Sequence, residues 1–249
     1  LKEAASLIAL GAAAGLSPSL FTRPAFAQGG QGRGRGNAAP APQPTGTRLV
    51  LLGTQGGPNV NLKRTESANA IVVDGRPYLV DCGYGTVRSL VEAGIGYGQV
   101  ATVFLTHLHD DHTVDLAALL SLQWTGSRTQ PTDVYGPDGT AALVQGALAF
   151  IRANADVRSV DEGRATRPET LFHGHDLAAT AAPAQGFKDD KVTVTTVENT
   201  HFPDRAKAKM PHRSIAYRFD TASRSIVISG DTAYSKNLVE LAKGVDLFV

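Results

Sequence analysis

Three histidines and two aspartates stand together in Thr106-His107-Leu108-His109-Asp110-Asp111-His112, directly after the apolar run Val103-Phe104-Leu105. Neutral imidazole nitrogens and carboxylate oxygens suit zinc, and also iron or manganese. His107 and His109 alternate around Leu108, so an extended backbone aims both rings to one side, and a turn is then expected to return Asp111 and His112 towards them. A solvated polar loop would also tolerate these residues, but three of the chain's seven histidines fall in this one stretch. Metal binding is the better reading. The single cysteine, Cys82, excludes an intramolecular disulfide and a cysteine-rich zinc module, which leaves histidine and aspartate as ligands. Cys82 itself reads as strand packing rather than as a nucleophile.

The elements that must position these groups follow from apolar periodicity. Residues 49–52 form a strand-like run stopped by Gly53, and 70–73 with 78–80 read as a hairpin around Asp74-Gly75. A helix is expected over 86–93, ended by Gly94, and then a buried strand over 100–105 that delivers the histidine cluster at its end. Helices at 114–124 and 140–154 flank a short strand at 132–135, broken by Gly136-Pro137-Asp138-Gly139. The pattern over 155–191 is too weak to assign. Strands follow at 192–197, leading to Asn199-Thr200-His201, at 214–219, and at 225–229, leading to Gly230-Asp231-Thr232. A helix at 235–243 and an apolar run at 245–249 complete the chain. Strands with interspersed helices and polar residues at strand ends predict an α+β fold with two sheets face to face and helices outside.

The formal charge of +1 supplies no general attraction to nucleic acid. At the N-terminal end, Lys2 precedes a small and apolar run, followed by Pro18 and the A-x-A pattern Ala25-Phe26-Ala27. Residues 1–27 are therefore read as an export signal, too short to span a membrane, with Leu1-Lys2 as the tail of a twin-arginine motif. Residues 28–47 are rich in Gly, Pro, Ala, Gln and Arg and read as a disordered linker. A folded domain is expected over 48–249. A periplasmic or secreted protein follows, with no stable membrane association after cleavage.

The string H-x-H-x-D-H after an apolar strand resembles the metallo-β-lactamase superfamily. Leu52-Gly53-Thr54, Asp81-Cys82-Gly83, His201 and Ser229-Gly230-Asp231-Thr232 fall in the matching order, so the likeness runs from about Arg48 to the end of the chain. Asp81-Cys82-Gly83-Tyr84-Gly85-Thr86 and Tyr135-Gly136-Pro137 make it most similar to the ribonuclease Z-like and arylsulfatase-like branch. The resemblance implies a four-layer αβ/βα sandwich and two divalent metal ions, most simply zinc. It implies that His107, His109 and His201 hold one metal, that Asp111 and His112 hold the other, and that Asp231 bridges them. It implies one more histidine ligand beyond Val249, so the chain is read as C-terminally truncated.

Two bridged metals would lower the pKa of a shared water and make hydroxide available near neutral pH. Asp111 is the expected aid to that hydroxide. His212, eleven residues after His201, is a candidate for substrate contact or leaving-group protonation. His173 and His175 read as solvent-exposed loop residues, Asp110 as a surface or supporting acid, and Asp81 as a group that orients a ligating histidine. The function expected is hydrolysis of a phosphodiester or sulfate ester in a small molecule. A lactonase or β-lactamase uses the same metals on a carbonyl, a metal-binding protein without turnover is the answer of another class, and non-haem iron redox chemistry usually brings a flavin-binding domain. Ribonuclease Z-type RNA processing becomes the reading if the chain is not exported. A homodimer is left open.

Overall fold

Asp74 and Gly75 both take positive φ, 47° and 83°, the paired left-handed conformation that tight hairpin turns demand and that Asp-Gly tolerates. The chain therefore folds back between β2 (Ala68–Val73) and β3 (Arg76–Val80), and β1 (Thr47–Gly53) lies antiparallel on the other side of β2. The computed structural model describes residues 45–203, 209–210 and 212–249. The expected export signal and all but the last residues of the expected linker lie outside the described residues. Every described residue lies within the unit Pro42–Val249.

After β3 come α1 (Thr86–Glu92), β4 (Thr102–Phe104), the single turn α2 (Asp110–Thr113) and α3 (Leu116–Thr125). Then follow β5 (Thr132–Gly136), α4 (Thr140–Asp161), β6 (Phe172–Asp176) and β7 (Ala184–Lys188). The chain continues through β8 (Val192–Glu198), β9 (Ile215–Thr221), β10 (Ser225–Ile228), α5 (Lys236–Leu241) and β11 (Leu247–Phe248). Among the described residues one sheet has the order β1-β2-β3-β4-β5-β6 and the other β11-β10-β9-β8-β7.

The sheets face one another across an apolar layer in which Ile71, Tyr78, Val80 and Phe104 meet Val194, Ile215, Tyr217 and Phe219. Phe104 is fully buried and touches the rings of Tyr135, Phe187, Tyr217 and Phe219 at centroid distances of 5.6, 5.5, 5.3 and 5.2 Å. The alternation of each strand sends its other face outward. Leu79, Val103 and Leu105 pack with Leu90, Leu119, Trp124, Leu148 and Ile151 of the helices, while Val197, Ala216 and Val227 pack with Leu238 and Leu241 of α5. Helix, sheet, sheet, helix is the four-layer αβ/βα sandwich expected from the motifs.

The differences have local causes. β4 is shorter than expected because a 3-10 turn, Tyr97–Gln99, uses the residues before it and Val100 closes that turn. α4 runs seven residues past the expected end because no breaker occurs before Gly163, which takes φ 66°. The unassigned stretch 155–191 holds two edge strands, β6 and β7. Their glycines and polar residues carry little strand propensity, and pairing with β5 and β8 decides their conformation.

Candidate metal centre

The site forms where the two sheets are stitched together at one edge. Just past β4, the Leu105 carbonyl accepts a hydrogen bond from Tyr217 Oη at 2.7 Å, and the Thr106 carbonyl accepts one from the Ile215 amide at 2.9 Å. Both donors belong to the other sheet. The histidine stretch therefore leaves one sheet while anchored to its partner, which brings it to the loops after β8 and β10.

His107 is fully buried, and His109 is exposed and precedes α2 with an extended backbone. Asp111 and His112 arrive on the single helical turn α2. His201 follows β8. His107 Nε2 lies 3.0 Å from His109 Nδ1, and His201 Nε2 lies 3.2 Å from the same atom. Ligands about 2.1 Å from a tetrahedral zinc stand roughly 3.4 Å apart, so these nitrogens already have ligand-like spacing. His107, His109 and His201 form one set of donors within 4.8 Å of one another, and His107, His112 and Asp231 form a second.

His112 gives the sharper test of fit. Its Nδ1 donates to Asp81 Oδ2 at 2.8 Å, which turns Nε2 inward. Nε2 is buried without a hydrogen-bond partner, 3.5 Å from Asp231 Oδ1 and 3.7 Å from Asp111 Oδ2. A buried imidazole nitrogen that faces two carboxylates without a hydrogen bond is costly, and a cation held by its lone pair and both carboxylates would satisfy all three. The residues fit a divalent metal centre.

The charges within the cluster follow from the same contacts. Burial first, and then the neighbouring His112, His201 and His109, hold the His107 pKa down to about 2, so its ring is neutral and available as a donor. Burial also opposes charge on His112, but Asp81 and Asp231 outweigh it and push the pKa up to about 10. The neighbouring His112 ring, 3.5 Å away, holds the Asp231 pKa down to about 2 against the opposing effect of burial, with His107 and His201 adding to it.

Supporting residues explain why these groups hold their places. Asp81 is buried at a left-handed φ of 62°, which aims its carboxylate under the cluster. It accepts from His112 and also from the Thr106 amide at 2.7 Å and the Thr106 hydroxyl. The same hydroxyl reaches His107 Nδ1 at 3.1 Å. Asp81 thus orients His112 directly and His107 through Thr106. Asp111 Oδ2 accepts from the Gly57 amide at 2.9 Å, which pins the loop after β1 against the site. Gly83 is needed because a Cβ there would lie 2.1 Å from the Asp111 carbonyl. Asn199 ties the two remaining loops together, accepting from the His201 amide at 3.1 Å and donating to the Ser229 carbonyl at 2.9 Å. Thr106, Gly57, Asn199 and the Phe202 ring beside His109 and His201 carry no motif of their own. Only adjacency to the histidines could have marked them.

Other candidates lie elsewhere. His212 is exposed, and its Nδ1 donates to the Asp138 carbonyl at 2.7 Å, which leaves Nε2 free near the start of α4. It belongs to neither donor set. His173 and His175, expected as loop residues, both stand on β6 and share Asp133, with His175 Nε2 at 2.7 Å and His173 Nδ1 at 3.4 Å. Asp110 is exposed on the first turn of α2. Cys82 is buried, its amide donating to the His112 carbonyl, and burial pushes its thiol well up, as packing rather than nucleophilicity requires.

The comparisons with known proteins agree with this architecture. Residues 47–247 match the family described as Anti-Pycsar protein Apyc1. A protein of Mycobacterium sp. strain KMS named ribonuclease Z is 31% identical over 203 residues, covering 81% of this chain and 67% of that protein. One of the same name from Mycobacterium bovis BCG Pasteur is 29% identical over 204 residues, covering 81% and 68%. Human tRNase Z, short form, superposes with a TM-score of 0.60 at 24% identity over 80% of this chain and 76% of that one. YhfI from Bacillus subtilis, a metallo-beta-lactamase fold protein, gives 0.58 at 20% identity over 80% and 69%. With the four-layer sandwich, the histidine stretch and the family match in agreement, the chain belongs to the Anti-Pycsar protein Apyc1 family, within the metallo-β-lactamase-fold superfamily of hydrolases.

Proposed function

We propose that this chain is a binuclear metal-dependent phosphodiesterase. The observation that carries the reading is the buried His112 Nε2, aimed between Asp111 and Asp231 beside the three converging nitrogens of His107, His109 and His201. Divalent cations there would supply Lewis-acid charge that acidifies water and offsets anionic charge at phosphorus. Asp111, its Oδ2 held by Gly57, offers Oδ1 to accept a proton from the attacking water. Asp231, nearly half exposed, faces the open side, and the Phe202 ring covers one flank of the histidines. His212 is the candidate to protonate a leaving group through its free Nε2.

The name ribonuclease Z, carried by the mycobacterial relatives, designates phosphodiester cleavage and favours phosphorus over sulfur or carbonyl carbon. The test is turnover by the full chain with zinc or manganese on bis(p-nitrophenyl) phosphate, p-nitrophenyl sulfate, a lactone, a β-lactam and an RNA with a 3′ trailer. Phosphodiester cleavage that chelation abolishes and metal restores supports the proposal. Turnover of only the sulfate, lactone or β-lactam overturns it, trimming of the RNA alone selects the RNA-processing reading, and two bound metals without any turnover select the non-catalytic one. We also infer that residues 1–27 direct export. Cell fractionation that finds uncleaved protein in the cytoplasm would overturn that.

A further inference from the structure

The edge strand β6 carries two histidines for which the central site has no use. Along β6, Phe172, Gly174 and Asp176 face α4. Phe172 belongs to the apolar cluster of Val144, Leu148 and Ile151, a Cβ on Gly174 would lie 2.6 Å from the Ala141 Cα, and Asp176 Oδ1 accepts from the Ala141 amide at 2.9 Å. Alternation then sends His173 and His175 to the opposite face, together with Leu177, which packs in the layer between the sheets. The contacts with α4 keep the strand from turning over, so both rings are held at the open edge of the sandwich.

β5 brings the third group. Its register with β6 sets Asp133 beside His173 and Tyr135 beside His175. Asp133 Oδ1 lies 2.7 Å from His175 Nε2 and 3.4 Å from His173 Nδ1, and among the described residues this carboxylate pairs with no lysine or arginine. The Tyr135 ring stacks on His175 with centroids 4.5 Å apart and planes at 16°, which steadies that imidazole. The side chains of His173, His175 and Asp133 are 43, 41 and 34% exposed, so an ion can reach them from solvent. Asp133 stands opposite Thr102, at the start of β4, whereas His107 follows the other end of that strand, so the cluster is separate from the candidate metal centre.

Two imidazoles and one carboxylate are donors that suit late first-row divalent cations, and they offer too few oxygens for magnesium or calcium. We propose that His173, His175 and Asp133 form a further cation site, taking zinc or copper(II), that clamps the edge strand β6 to β5. Among the described residues only the central donor sets stand wholly within 4.8 Å. Here His175 and Asp133 are already in contact, and the exposed His173 closes the site by turning its ring. Any proton on the coordinating imidazole nitrogens passes to solvent as the ion enters, and water completes the coordination. Because the donors meet only when the two strands pair, the ion binds the folded state alone.

Zinc content of the full chain is measured by plasma mass spectrometry after dialysis against zinc buffered across the micromolar range. The wild type is expected to hold one zinc per chain more than His173→Ala or His175→Ala, and Asp133→Asn should weaken that ion about 10-fold. The central ligands are intact in every variant, so a failure of the central metal reading leaves this difference untouched. Zinc should also raise the thermal midpoint further in the wild type than in either alanine variant. Copper(II) added to the zinc-loaded chain should give a paramagnetic resonance signal coupled to two imidazole nitrogens, which each alanine variant lacks. Circular dichroism of the zinc-free proteins checks the fold, and His173→Gln replaces any alanine variant that misfolds, with the same expected loss. Equal zinc content in the wild type and the folded variants overturns the proposal, and so does a difference that emerges only at millimolar zinc, the behaviour of ordinary surface histidines.

Discussion

At the scale of the residue, the first site rests on His107, whose ring nitrogen converges with those of His109 and His201. His107→Ala removes one of the three. Metal content after dialysis, measured by plasma mass spectrometry, is expected to fall to background at the first site. Unchanged zinc would refute the assignment. Asp81 makes a subtler prediction. Asn fits the left-handed backbone at this position as well as Asp does, so Asp81→Asn keeps the turn and removes only the charge that orients His112 and Thr106. Metal affinity should weaken about 10- to 100-fold, read by competition with a chromogenic chelator, with the fold intact by circular dichroism. Affinity equal to wild type would show that Asp81 is only a packing residue.

At the scale of the element, the hairpin β2–β3 is joined to β8 by a charged cluster. Asp189 accepts from Tyr78 Oη at 2.7 Å, from the Lys191 and Val192 amides at 2.8 and 2.9 Å, and from Arg76 at 3.0 Å. Burial works against its charge, but Tyr78, the two amides and Arg76 prevail and hold its pKa below the ordinary carboxylate value. A carboxyl with a lowered folded pKa adds stability above its unfolded value, about 3.9, and loses that contribution as the pH falls through the folded one. Asp189→Asn should therefore lower the urea midpoint clearly at pH 6, and the gap to wild type should close on acidification towards pH 3. A gap independent of pH would mean that the side chain acts by shape alone. The same scale explains His173 and His175. Their Gly-rich, polar segment reads as a loop, yet β5 supplies the hydrogen bonds that make it an edge strand.

At the scale of the molecule, the centre joins both sheets, since His107, His109, Asp111 and His112 follow strands of one while His201 and Asp231 follow strands of the other. A metal bound there binds only the folded state and stabilises it by mass action, by about 2.7 kcal/mol when free metal is 100 times its dissociation constant. Chelation is expected to lower the thermal midpoint by several degrees, and added zinc should restore it. A midpoint indifferent to both would place the metal outside the folded core of the site.

Much of this was legible in order along the chain. The Asp74-Gly75 hairpin, the apolar strand before the histidines and the amphipathic helices are local consequences of residue type and period, and so is the clustering of His107, His109, Asp111 and His112. The two-sheet sandwich followed because so many half-apolar strands must bury one face. Other features could not be read from neighbours in sequence. The α2 turn that carries Asp111 and His112, the left-handed Asp81 beneath them, and the clamp of Asn199 between two loops arise from contacts between distant strands. The sequence by itself determined which side chains can bind metal and which segments present them; the tertiary structure alone decided which of them meet, because hydrogen bonds across the two sheets set those distances.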